Sequence, residues 1–95
     1  MNFFHTGGPN YTLLGQHLAR QRAKNVVLTF SEIEQIISAP LPKSAEKYPE
    51  WWNAAGHSHA QTWEKSGYKA VQVKANMLNK RMAFERQNEP LVYKN

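Results

Sequence analysis

The sequence predicts an α+β domain of three helices with a small antiparallel sheet and a C-terminal β-hairpin, and three observations lead to it. Apolar residues recur at helical spacing in three separate stretches, residues 26–30 form a short run rich in β-branched and aromatic side chains, and the segments 68–75 and 81–86 alternate in the manner of strands. A chain of 95 residues closes one hydrophobic core and not two. Its 41% apolar content, with 3 Trp, 4 Tyr and 4 Phe, supplies the bulky material for that core.

Residues 1–10, punctuated by Gly7-Gly8-Pro9, read as a flexible lead, and the domain is expected over 11–86. The first helix is predicted over 11–21, where Tyr11, Leu14 and Leu18 share a face. Val26 to Phe30 form the first strand. Ser31, with Glu34 three residues on, has the spacing of a capping box, so a second helix is expected to start there and bury Ile33, Ile36 and Ile37. Pro40 and Pro42 stop it, because each ring removes a donor and restricts the residue before it.

Ser44 offers another cap, for one helical turn over 45–48, and 50–56 read as an aromatic-rich loop or short turn. Ser58 with Gln61 repeats the capping-box spacing ahead of a third helix over 59–66, with Gly67 at its C-cap. Two strands follow, over 68–75 and 81–86, with Val71 and Val73 on one face of the first and Met82 and Phe84 on one face of the second. Residues 76–80 are expected to close the hairpin, and 87–95, containing Pro90, Leu91, Val92 and Tyr93, to form a tail. Helix, strand, helix, short turn, helix, hairpin is the element order of a winged helix, although about 20 residues separate the second and third helices, far more than a usual helix-turn-helix connection.

Composition narrows the chemistry. Without cysteine there are no disulfides or thiolate metal sites, which points to a reducing compartment. No stretch approaches the roughly 20 apolar residues of a membrane span and the first ten residues lack a basic leader, so a cytoplasmic protein with no membrane partner is expected. A formal charge of +5 favours acidic partners. No nucleophile elbow, phosphate loop or complete metal-ligand set is present, so neither catalysis nor a cofactor is expected; His57 and His59 alone do not make a zinc site.

The residues left to carry function fall in two places. Lys43, Ser44, Trp52, Asn53, His57, His59 and Gln61 combine cation, indole, amide and imidazole, the side chains that stack bases, pair phosphates and read adenine edges. Lys80 and Arg81 head a basic hairpin that also holds Lys69, Lys74 and Arg86 against Glu85. Trp51 and Trp63 are expected in the core. Trp52 is expected to be exposed, because neighbours in an extended stretch face opposite sides. His57 and His59 also suit capping or surface roles, and the hairpin lysines also suit a solvated edge.

Leu28-Thr29-Phe30 with Glu32-Ile33-Glu34 and Ile36, Leu41-Pro42 with Ser44-Ala45, Trp51-Trp52-Asn53, His57 to Trp63 and Gly67-Tyr68 together resemble a family of small bacterial and phage domains of unknown function. The resemblance covers about residues 11–86 and its patterns are LTFxEIExI, LPxSA, WWxN, HxxAW and GY. Relatives of that kind occur alone or joined to nuclease-like modules, which implies DNA. Carried onto this chain, the resemblance marks Ser44, Trp52, Asn53, His59 and Gln61. Thr62 departs from the family's alanine before the tryptophan, and Ala54-Ala55-Gly56 from its more polar loop.

The leading expectation is a non-enzymatic domain that binds nucleic acid, DNA above all. A nucleotide-sequestering protein of phage type, with Trp52, Asn53 and His59 around a base, is one alternative. A protein-interaction module that inhibits a host nucleic-acid enzyme through exposed Trp and Tyr anchors is another.

Overall fold

The computed structural model describes residues 10–53 and 57–87, which form five α-helices and a three-stranded antiparallel sheet. Apart from Asn10 and Gln87, the expected lead and tail lie outside these residues, as do 54–56 of the expected loop. In chain order the elements are α1 (Tyr11–Ala19), β1 (Asn25–Thr29), α2 (Phe30–Ile37), α3 (Lys43–Lys47), a 3-10 turn (Pro49–Trp52), α4 (Ser58–Lys65), β2 (Tyr68–Val71), α5 (Val73–Leu78) and β3 (Arg81–Arg86). The sheet order is β1-β3-β2. The helical turn expected over 45–48 is α3, which begins two residues earlier with Pro42 and not Ser44 at its N-cap, and the expected order is interrupted once, by α5 within the hairpin.

The central strand β3 turns Met82 and Phe84 inward, where they pair in register with Leu28 and Val26 of β1, and Phe84 also with Ala70 of β2. Period-two alternation puts Val27, Lys69, Val71 and Arg81 on the other side, where Val27, Lys69 and Arg81 are exposed. The inward residues meet Leu14 and Leu18 of α1, Ile33 and Ile37 of α2, and Ala60 and Trp63 of α4 in one core.

Helix α2 starts two residues earlier than the sequence suggests. Thr29 is its N-cap: its hydroxyl accepts from Glu32 N (3.0 Å), and Glu32 Oε1 accepts from Thr29 N (2.9 Å), a complete capping box. Phe30 is buried, and its N–H donates to Lys80 O (2.8 Å), so packing against the hairpin outweighs the local preference of Ser31. Glu34, the expected box partner, instead accepts from Leu41 N (2.8 Å) and ties the proline-rich connector to α2.

Helix α4 opens at His57, which makes no side-chain cap bond, and Ser58 lies inside the helix rather than capping it. At its other end Gly67 takes φ +95°, as a glycine past a C-cap should. The strand expected over 68–75 stops at Val71, where Gln72 turns left-handed (φ 49°). Helix α5 replaces the hairpin loop: Val73 and Met77, one turn apart, pack on the core, and Asn76 Nδ2 donates to Val71 O and Gln72 O (3.0 Å each).

Candidate nucleic-acid interface

Proline at the first position of the 3-10 turn and the buried Ala45 of α3 set the direction of Trp51 and Trp52, and both turn inward. The expectation of an exposed Trp52 is corrected: its side chain is 0% exposed. It stacks on Phe30 (centroids 5.7 Å) and meets Trp51 edge-on (4.8 Å). Its Nε1 donates to Ala45 O (2.9 Å), while Trp63 Nε1 donates to Trp52 O (3.3 Å). Trp51 and Trp63 are buried as expected. An indole that fills the core and has its N–H satisfied cannot stack on a base, so the nucleotide pocket loses the group it was built on.

The remaining expected site residues do not converge. Lys43 and Ser44 stand exposed on α3, Asn53 is exposed past the 3-10 turn, and Gln61 is exposed on α4. His57 and His59 sit half-buried with rings 5.4 Å apart. His59 lies flat on Trp51 (4.1 Å) and its Nε2 donates to Trp51 O (2.7 Å), which gives it a structural role. Burial lowers its pKa, the backbone hydrogen bond opposes that shift, and His57 adds to the lowering. Burial likewise raises the Tyr11 hydroxyl, whose ring packs against Trp51, His59 and Trp63. Lys80 occupies a left-handed turn (φ 53°), and Arg81 Nε donates to Asn76 Oδ1 (3.3 Å). Among the described residues no side-chain hydrogen bond joins the α3, histidine and hairpin groups.

Charge gathers along a rim that takes Lys69 and Arg86 from the basic hairpin and adds four cations that the sequence motifs do not include. Arg20 caps α1, Arg22 and Lys24 follow in the connector to β1, Lys65 and Lys69 bracket the α4–β2 turn, and Arg86 ends β3; all six are exposed. Two backbone bonds and one side-chain hydroxyl draw these segments together. Arg86 N donates to Lys24 O (2.7 Å), Gln87 N to Gly67 O (2.8 Å), and the Tyr68 hydroxyl to Ala23 O (2.7 Å). Glu64 and Glu85 are the carboxylates on the same elements, and Glu85 sits in register between Lys69 and Asn25. One signal in the sequence could have pointed here, since no acidic residue precedes Glu32.

Beside the rim, α1 and α4 lie in close contact and run in the same direction. Tyr11 meets His59 and Trp63 near their N-termini, whereas Ala19 and Ser66 line one groove near their C-termini. Gly15 makes this approach possible, because a Cβ there would come 2.5 Å from Thr62 O. Thr12 and Gln16 of α1 and Ser58, Gln61 and Lys65 of α4 face solvent from this pair of helices. Hydroxyls, amides and ammonium groups of this kind hydrogen-bond phosphates, and an amide can also pair with an adenine edge.

A family model for a domain of unknown function (DUF7662) matches residues 11–87. No curated protein and no solved structure matches the chain.

Proposed function

The chain belongs to that family, and from this premise we propose that it is a non-enzymatic domain that binds nucleic acid, DNA above all, through the cationic rim and the adjoining face of α1 and α4. The observation that carries the reading is the collection of Arg20, Arg22, Lys24, Lys65, Lys69 and Arg86 from three separate segments onto one rim with two carboxylates nearby. Each cation that meets a phosphate releases condensed counterions, so a rim of this kind binds a polyanion with strong salt dependence. Helix α4 adds support, since it presents Ser58, Gln61 and Lys65 to solvent and leads through Gly67 into β2, which carries the exposed Lys69. The reading places the protein in the bacterial cytoplasm, whether host-encoded or phage-encoded.

Fluorescence anisotropy of a labelled oligonucleotide, titrated over a range of salt, tests it. The expected result is binding whose log K falls linearly with log salt, with Arg22→Ala and Lys65→Ala each flattening the slope by about one unit. A slope unaffected by both substitutions would remove the rim from the reading.

A second reading rests on Leu78, 85% exposed on α5, and Tyr48, 53% exposed after α3. Leu78 lines a groove with Glu46, Lys47, Pro49, Lys74 and Met77, an apolar floor with charges of both signs at its edge that suits an amphipathic protein segment, such as one on a host nucleic-acid enzyme. In a pull-down from nuclease-treated host lysate, partners that bind wild type and are lost with Leu78→Asp would favour this reading. Loss of every partner on nuclease treatment would favour the first.

A further inference from the structure

Resting on the nucleic-acid reading, we infer that the ligand is double-stranded DNA, gripped by its phosphates, and not a single strand. Proteins that hold single strands lay successive bases on exposed aromatic rings. Here Phe30, Trp51, Trp52, Trp63, Tyr68 and Phe84 are all buried, and Tyr11 is half-buried among His59, Trp51 and Trp63. Among the described aromatic residues Tyr48 alone is exposed, and it follows α3, not an element of the rim. Among the described residues, then, the face offers unstacked bases no exposed aromatic ring. A duplex keeps its bases stacked on one another and presents phosphates and groove edges instead, which are the groups that this surface can bond.

The dimensions agree with that assignment. Ser58, Gln61 and Lys65 share one exposed stripe of α4, and an α-helix, about 10–12 Å across with its side chains, has the diameter that the roughly 12 Å wide B-DNA major groove admits. Gln61 stands mid-stripe and can pair with an adenine edge, while Lys65 and the rim cations meet the flanking phosphates. The deep, narrow major groove of an RNA duplex would close this stripe off from the bases.

Anisotropy titrations of the whole chain with a DNA duplex of about 20 base pairs, roughly two turns, each of its separated strands, and an RNA duplex of the same sequence test the inference. The DNA duplex is expected to bind at least about tenfold tighter than either strand or the RNA. Tyr48→Ala should leave the duplex affinity unchanged. Gln61→Ala should keep the salt slope while narrowing the affinity range among duplexes of different sequence, and Lys65→Ala should flatten the slope by about one unit. A strand or RNA duplex that binds as tightly as the DNA duplex, or a loss of affinity in Tyr48→Ala, would overturn the inference and leave the nucleic-acid reading standing. Absence of binding to all four ligands would instead defeat that reading and this inference with it.

Discussion

The aromatic segment from Tyr48 to Trp63 and the cationic rim differ in what holds them. In the first, packing does the work: three indoles interlock, and the Nε1 groups of Trp52 and Trp63 reach backbone carbonyls. In the second, backbone hydrogen bonds set the positions and the charged ends stand in water. On the proposed reading, the contrast means that stability and recognition are built from separate residues. Either property can then be altered with little cost to the other.

The largest effect should come from the aromatic side. Trp52→Ala empties the centre of the cluster and is expected to cost about 3–5 kcal/mol in a denaturant titration. A loss below about 1 kcal/mol would break the distinction, because the indole would then not be holding the core. Gly15→Ala drives a Cβ into Thr62 O. The roughly 1 kcal/mol that alanine gains in a helix does not offset the clash, so a net loss of about 1–2 kcal/mol is expected, measured by the urea midpoint. Thr29→Ala removes half of the α2 capping box and should cost about 1 kcal/mol by the same measurement.

A pH titration sharpens the comparison further. Burial holds His59 below its ordinary value of 6.5, so the unfolded chain takes up this proton first as pH falls. Stability contributed by the neutral ring is therefore full above pH 6.5 and is lost as pH drops from there through the folded-state value. Melting temperatures from pH 8 to pH 5 should fall for wild type and fall less for His59→Gln; equal slopes would mean that the imidazole does not sense the core. The smallest effect on stability belongs to the rim, where replacing Arg20, Arg22 and Lys24 together by Ala should shift the unfolding free energy by no more than about 0.5 kcal/mol. Nucleic-acid affinity should nevertheless drop and its salt slope flatten by up to about three units.

How much of this was legible in the sequence follows the same division. Strand β3 was placed at its observed bounds, Gly67 was placed past a helix end, and Ile33 and Ile37 were placed in the core, because alternation, glycine geometry and helical spacing are local signals. Helix α5 was missed because Val71 and Val73 continue a two-residue alternation, and the left-handed turn at Gln72 that breaks it leaves no mark in the pattern. The capping box shifted from Ser31 to Thr29 because a distant partner, Lys80 O, claims the N–H of Phe30. Trp52 was misplaced because the alternation rule assumes extended backbone, whereas a 3-10 turn puts both neighbouring indoles on one side. Of the rim, Lys69 and Arg86 are legible as part of a basic hairpin, whereas Arg20, Arg22, Lys24 and Lys65 are not, because three sequence-distant segments form the rim and only the folded sheet brings them together.

Because all three tryptophans sit in the core, the protein's ultraviolet emission originates in a dry environment beneath the proposed binding face, with Trp63 on the inward side of α4 and Ser58, Gln61 and Lys65 on its outward side. Emission should be blue-shifted and shielded from aqueous quenchers until the chain opens, then move to the red as the indoles hydrate. Titration with an oligonucleotide should leave the spectrum almost unchanged. The molecule thus carries an intrinsic optical report of its own unfolding that is blind to its proposed ligand.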